Sequence, residues 1–196
     1  MRIGIYGGSF SPPHNGHIEA VKSFRNAIML DKVLVIPTYI APHKQKTGTL
    51  SCEHRFEMTR LAFQDLDFVT VSDYEISQQN VSYTANTLTH FAPQGELFFL
   101  CGSDMFLTLD SWYRPDVIFK HATIVLASRD TTLDSNCLVK KEKYESEYNA
   151  RIIILKNPVT KLSSTDVRQA IKDNHPIDPF VPKNVETYIR ENKLYE

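Results

Sequence analysis

Apolar residues gather in six short runs rich in β-branched and aromatic side chains: Ile3–Tyr6, Lys32–Ile36, Phe68–Val71, Leu97–Cys101, Ala122–Ala127 and Arg151–Leu155. None alternates cleanly with polar positions, which marks strands buried on both faces. Between the runs the period changes. Ile18, Val21, Phe24 and Ile28 repeat at helical spacing, and Glu53–Phe63, with Phe56, Leu61 and Ala62 apolar, follows Ser51 as a candidate N-cap. Thr84–Phe91, Lys140–Tyr148, Thr165–Ile171 and Lys183–Asn192 are further predicted helices. Strands alternating with helices imply right-handed crossovers, so the expected fold is α/β: a doubly wound parallel sheet with helices on both faces. The polar stretch Arg129–Asn136 reads as a surface loop that could close over a ligand.

Composition narrows the function without naming it. A chain of 196 residues fits a single domain, 1–196, with a core of ordinary size. Its 22 basic and 23 acidic side chains leave a net charge of −1, so the whole-molecule field attracts neither nucleic acid nor an anionic membrane. A phosphate site would have to concentrate its cations locally. Cys52, Cys101 and Cys137 form no C-x-x-C pair, which argues against a zinc knuckle or a disulfide scaffold, and Cys101 reads as core packing. MRIGIYGG enters a strand directly, without a signal-peptide layout or a long apolar stretch, so a reducing cytoplasm is the expected setting.

In doubly wound sheets ligands sit beyond the carboxyl ends of the strands, which turns attention to the loops. The first is GGSFSPPHNGH, Gly7 to His17, running through Ser9 and Phe10 into a helix. Glycines at 7 and 8 would let backbone amides approach an anion, and Pro12 and Pro13 stiffen the descent. His14 and His17, three apart at a helix start, can share a face near the positive end of the dipole. One could cap and the other pack; together they suit charge building up on a phosphoryl group. A metal site would need a further ligand that the nearby sequence does not supply.

The loop after the second strand carries His43, Lys44 and Lys46, a solvated basic loop or a polyphosphate contact; His54 and Arg55 beyond it read as solvated helix residues. Ser82 or Thr84 could cap the helix that begins near Tyr83. After Leu97–Cys101 come Gly102 and Asp104, whose carboxylate could accept ribose hydroxyls, and then Trp112, the only tryptophan, with Tyr113. Trp112 could be core or a flat surface for an aromatic ring. Ser163, Ser164 and Thr165 precede a helix, Ser163 and Asp166 have the spacing of a capping box, and Arg168 lies one turn in, where hydroxyls, amides and a guanidinium would make an anion site.

His14-Asn15-Gly16-His17 resembles the H-x-G-H signature of the nucleotidyltransferase superfamily, and GGSFSPPHNGH the GG-T-F-D-P-x-H-x-G-H opening of the nicotinate mononucleotide adenylyltransferases, with Ser9 for Thr and Ser11 for Asp. Ala41-Pro42-His43-Lys44 is similar to the family's P-P-H-K, Ser82–Thr87 to S-Y-T-x-x-T, Gly102-Ser103-Asp104 followed by Trp112-Tyr113 to its G-x-D and W-Y segment, and Leu162–Arg168 to I-S-S-T-x-x-R. The pattern from Pro182 to Tyr195 agrees too, so the resemblance runs to the end of the chain, with 156–196 as the closing part of the domain.

The resemblance implies a Rossmann-like fold and adenylyl transfer from ATP to the 5′-phosphate of nicotinate mononucleotide. It implies catalytic roles for His14, His17, Lys44 and Arg168. ATP contacts would come from Gly7, Gly8, Ser9, Phe10, His14, His17, Gly102, Asp104, Ser163, Ser164, Thr165 and Arg168. Mononucleotide contacts would come from Ser9, Lys44, Tyr83, Thr84, Asp104, Trp112 and Tyr113. Mg²⁺ would arrive with ATP and not in a protein cage. Nicotinamide mononucleotide or phosphopantetheine as acceptor, or a non-catalytic nucleotide sensor on the same fold, are the alternatives. The expected partners are small molecules, with a homodimer allowed and neither nucleic acid nor membrane.

Overall fold

The computed structural model describes residues 1–42, 50–127, 134–155 and 162–196. Six strands, β1 (Arg2–Gly8), β2 (Lys32–Pro37), β3 (Val69–Val71), β4 (Glu96–Gly102), β5 (Ala122–Ala127) and β6 (Ile152–Leu155), form one all-parallel sheet in the order β3-β2-β1-β4-β5-β6. The chain winds outward from β1 to β3, returns, and winds the other way from β4 to β6. The crevice past the carboxyl ends of β1 and β4 is therefore where the two halves part, the ligand position of such sheets.

The helices are α1 (Asn15–Ile28), α2 (Cys52–Phe63), α3 (Tyr74–Ser77), α4 (Thr84–Phe91), α5 (Ser103–Phe106), α6 (Pro115–His121), α7 (Ser135–Tyr148), α8 (Ser164–Lys172) and α9 (Lys183–Glu191). Helices α1, α2, α8 and α9 pack on one face through Phe24, Met58, Val167 and Val185. On the other, α4, α6 and α7 pack through Leu88, Ile118 and Tyr144. Alternate residues of β4 serve the two cores, Phe98 and Leu100 the first, Leu97, Phe99 and Cys101 the second. That is why the inner strands are apolar throughout. A β-carbon at Gly4 would stand 2.6 Å from the Phe24 ring and 2.8 Å from Leu30, so only glycine lets α1 lie this close to β1.

Burial on both faces holds for the inner strands and not for β3 and β6, which are edges with partly exposed side chains. Helix α7 begins at Ser135, five residues before the predicted Lys140. Asp134 caps it by accepting from the Asn136 N–H at 2.9 Å, so the end of the expected Arg129–Asn136 loop is helix; residues 129–133 lie outside the described residues. Leu138 and Val139 sit in its first turns 47% and 66% exposed, which erased the apolar period there. Helices α3 and α5 are single turns, and α6 carries three consecutive apolar residues, so none shows a helical period. Among the described residues no helix is long and apolar enough to cross a membrane.

Candidate active site

The loop leaving β1 is held in a costly shape. Phe10 is left-handed at φ 46° and 2% exposed, a conformation that costs a bulky residue about 1–3 kcal/mol and persists only where its surroundings impose it. They do. Arg55 Nη1 donates to the Ser9 carbonyl at 2.9 Å, and Arg168 Nη1 to the Ser11 carbonyl at 2.7 Å. The Ser11 hydroxyl shares a 3.0 Å hydrogen bond with the Tyr195 phenol. The two glycines before Phe10 differ: a β-carbon at Gly8 would press on the Phe10 ring at 3.0 Å, while at Gly7 nothing stands nearer than 4.0 Å. Gly8 thus makes room for Phe10, and only Gly7 leaves open space.

The same loop delivers the histidines. His14 is the buried N-cap of α1, and its backbone N–H donates to Nδ1 of His17 at 3.1 Å. The ring centroids stand 3.6 Å apart, with Phe10 edge-on to His17 at 5.1 Å. With Nδ1 accepting, a neutral His17 carries its proton on Nε2.

Two cavities meet over this loop, sharing Gly7, Gly8, Phe10, His17, Asp104 and Met105. One, of about 380 Å³, extends past His14 and Gly102 toward the end of β5 and Leu162. The other, of about 670 Å³, runs past Ser9 to Tyr83, Thr84, Trp112, Tyr113 and Ser164. The expected cap at Ser82 or Thr84 is not made: Tyr83 is the N-cap of α4, without a side-chain cap, and Ser82 Oγ accepts instead from the Tyr39 N–H at 2.9 Å. The start of helix α4, Tyr83 and Thr84, thus lines the larger cavity with no side chain capping it. The Tyr83 and Tyr113 rings approach to 4.5 Å and join its two walls.

The remaining expected residues fall differently. Lys44, with His43 and Lys46, lies outside the described residues. Ser163 and Asp166 form the predicted capping box, and Ser164 Oγ donates to the Pro12 carbonyl at 2.8 Å. Arg168 does not line either cavity; beside its bond to Ser11 it donates to Thr165 Oγ1 at 3.0 Å, and it borders a neighbouring cleft with Ser11, Arg55 and Tyr195.

Arg55 is the largest correction. It is 4% exposed and not solvated; besides Ser9 it donates to the carbonyls of Leu50 at 3.2 Å and Tyr39 at 3.0 Å, tying the loops after β1 and β2 together. Burial lowers its pKa, yet a guanidinium so far above neutrality stays charged. His54 instead shares a 2.9 Å hydrogen bond with Tyr188. Glu75, unmarked by any motif, is buried on the wall of the larger cavity and accepts from Thr87 Oγ1 at 2.6 Å. Desolvation raises its pKa, only partly offset by the hydroxyls of Thr87 and Ser82. Tyr195 is pushed up to about 12, first by burial, and stays a phenol.

Comparison with known proteins identifies the family. The cytidylyltransferase-like family model matches residues 5–170. A Clostridium botulinum (strain Eklund 17B / Type B) protein named "Probable nicotinate-nucleotide adenylyltransferase" is 35% identical over 196 residues, covering 100% of this chain and 98% of that protein. One of the same name from Caldicellulosiruptor saccharolyticus is 33% identical over 199 residues, with full coverage of both. In fold, the chain is similar to the Plasmodium falciparum nicotinic acid mononucleotide adenylyltransferase complexed with NaAD, at a TM-score of 0.79 and 19% identity, covering 99% and 97% of the two chains. The chain therefore belongs to the cytidylyltransferase-like nucleotidyltransferases and, within them, to the nicotinate-nucleotide adenylyltransferase family.

Proposed function

We propose that this enzyme joins ATP to nicotinate mononucleotide, giving nicotinate adenine dinucleotide and pyrophosphate as a step of NAD biosynthesis in the cytoplasm. The observation that carries the reading is the meeting of two cavities at the histidine loop, one for the adenosine of ATP and one for the mononucleotide, with His17 and Asp104 on their shared border. An anionic oxygen of the mononucleotide 5′-phosphate attacks the α-phosphorus; the bond to the oxygen bridging to the β-phosphate breaks, and pyrophosphate leaves. No protein nucleophile enters, so catalysis rests on positioning and on stabilising charge. His17 Nε2–H, with His14 beside it, donates toward the α-phosphate, and the start of α1 adds its positive end.

Arg168 and Lys44 are assigned to the β- and γ-phosphates, Arg168 through the N–H groups not engaged by Ser11 and Thr165, with Ser163, Ser164 and Thr165 at the same helix start. Glycines 7 and 102, with Ser9 and Phe10, border the nucleotide. The Thr84 and Ala85 amides at the start of α4 receive the nicotinate carboxylate, which favours the acid over the amide. Trp112 and Tyr113 face the pyridinium, and Asp104 accepts from ribose. Mg²⁺ is assigned to the ATP substrate and would be carried on its phosphates.

Chiral α-phosphorothioate ATP tests the chemistry: dinucleotide with inverted configuration at the α-phosphorus is expected. Retention would reveal a covalent enzyme intermediate and overturn the direct attack.

A further inference from the structure

The segment that carries Trp112 and Tyr113 leaves β4 through α5 and a tight 3₁₀ turn, Leu109–Ser111. Such a turn has little regular structure of its own to fix a ring in place. Its middle residue, Asp110, is instead the centre of an ionic cluster. One carboxylate oxygen accepts from Lys140 Nζ at 2.9 Å and from the Tyr144 phenol at 3.1 Å; the other accepts from Lys140 at 2.7 Å and Lys143 at 3.0 Å. All three donors belong to α7. The single Tyr144 hydroxyl proton is shared between Asp110 and the Phe106 carbonyl, at 2.9 Å from the latter, so one fully buried ring reaches both α5 and the turn. From this anchor, Trp112 is two residues away, and its indole N–H donates to Thr108 Oγ1 at 3.1 Å within the same turn.

We infer that Asp110 is a positioning residue for the acceptor substrate: through Lys140, Lys143 and Tyr144 it ties the aromatic wall of the larger cavity to α7, and so fixes where Trp112 meets the pyridinium ring. The cluster does not touch the histidine loop, so its influence falls first on acceptor binding and far less on ATP or on the chemical step. Such a bundle of charge-assisted bonds is strong because the carboxylate is largely shielded from water. Burial alone would raise the Asp110 pKa, but the bonds from Lys140, Lys143 and Tyr144 outweigh it and hold the group down at about 2. The inference rests on the acceptor reading above.

The test uses Trp112 as its own probe, since the chain has only one tryptophan. Asp110→Asn keeps the shape and removes the charge; Tyr144→Phe keeps the core ring and removes one donor. Kd for nicotinate mononucleotide is read from Trp112 emission, and kcat and the KM for ATP from pyrophosphate release. Asp110→Asn should weaken mononucleotide binding roughly tenfold, leave kcat and the ATP KM within about twofold, and shift the emission of the unliganded protein to the red. Tyr144→Phe should move the same readouts in the same direction by less. Equal losses for ATP and mononucleotide, or an unshifted emission with wild-type acceptor affinity, would overturn the inference. A wild-type protein whose Trp112 emission ignores nicotinate mononucleotide but answers another acceptor would overturn the acceptor reading instead; the unliganded emission of the two variants would still judge the anchor.

Discussion

The histidine loop and the aromatic wall line the same cavity and are fixed in opposite ways. The loop is gripped through its own backbone: Arg55 and Arg168 hold the carbonyls on either side of the left-handed Phe10, and Tyr195 holds Ser11 from nearly two hundred residues away. The wall is tied to α7 through a side chain, Asp110, that accepts from three donors of that one helix. The first arrangement draws on three distant parts of the chain and leaves His14 and His17 little freedom. The second can be altered by a change in α7 without disturbing the loop. A site that keeps its phosphoryl chemistry while adjusting its acceptor would be built this way.

The comparison breaks most visibly at His17. His17→Ala should lower turnover about 10²–10³-fold with little change in Tm, as expected for loss of one donor to developing charge; a rate within a few-fold of wild type removes His17 from the mechanism. Arg55→Met, which keeps bulk and removes the guanidinium, strands three carbonyls and should cost about 2–4 kcal/mol in urea unfolding. An unchanged midpoint would show that the loop holds itself. On the other side of the cavity, Trp112→Ala should raise the mononucleotide KM about tenfold and leave that for ATP alone. Comparable defects for both substrates would make Trp112 structural.

Smaller effects sharpen the contrast. Tyr195→Phe loses one hydrogen bond to the loop, about 1 kcal/mol, and should lower kcat before it changes either KM; a pure KM effect would place Tyr195 with the wall. The folded-state pKa of Asp110 is depressed to about 2 from an ordinary 3.8, so the stability it contributes is complete above 3.8 and is lost as pH falls through 2. Acid unfolding of Asp110→Asn should therefore be flatter than wild type across that window, and parallel curves would contradict the ionic cluster.

The sheet was legible because every strand run is apolar on the faces that two helix layers cover, as Leu97–Cys101 shows by feeding both cores. The loops at the crevice were legible because Gly7, His14, Asp104 and Trp112 fall in ordered motif runs just past strand ends, where ligands of such sheets sit. Arg55 was not, since its partners are carbonyls, which leave no trace in sequence, and a basic residue on an amphipathic helix reads as solvated. Nor was the Asp110 cluster, whose lysines come from a helix thirty residues on that begins with exposed Leu138 and Val139. Patterns of types locate the chemistry; the long-range bonds that hold it appear only in the fold.

The most direct test of the central claim supplies ATP and Mg²⁺ with nicotinate mononucleotide, nicotinamide mononucleotide or phosphopantetheine in turn and measures the initial rate of pyrophosphate release. The account predicts fast release with nicotinate mononucleotide, slower release with the amide and none with phosphopantetheine. Release with phosphopantetheine alone, or silence with all three from folded protein that binds ATP, would contradict it.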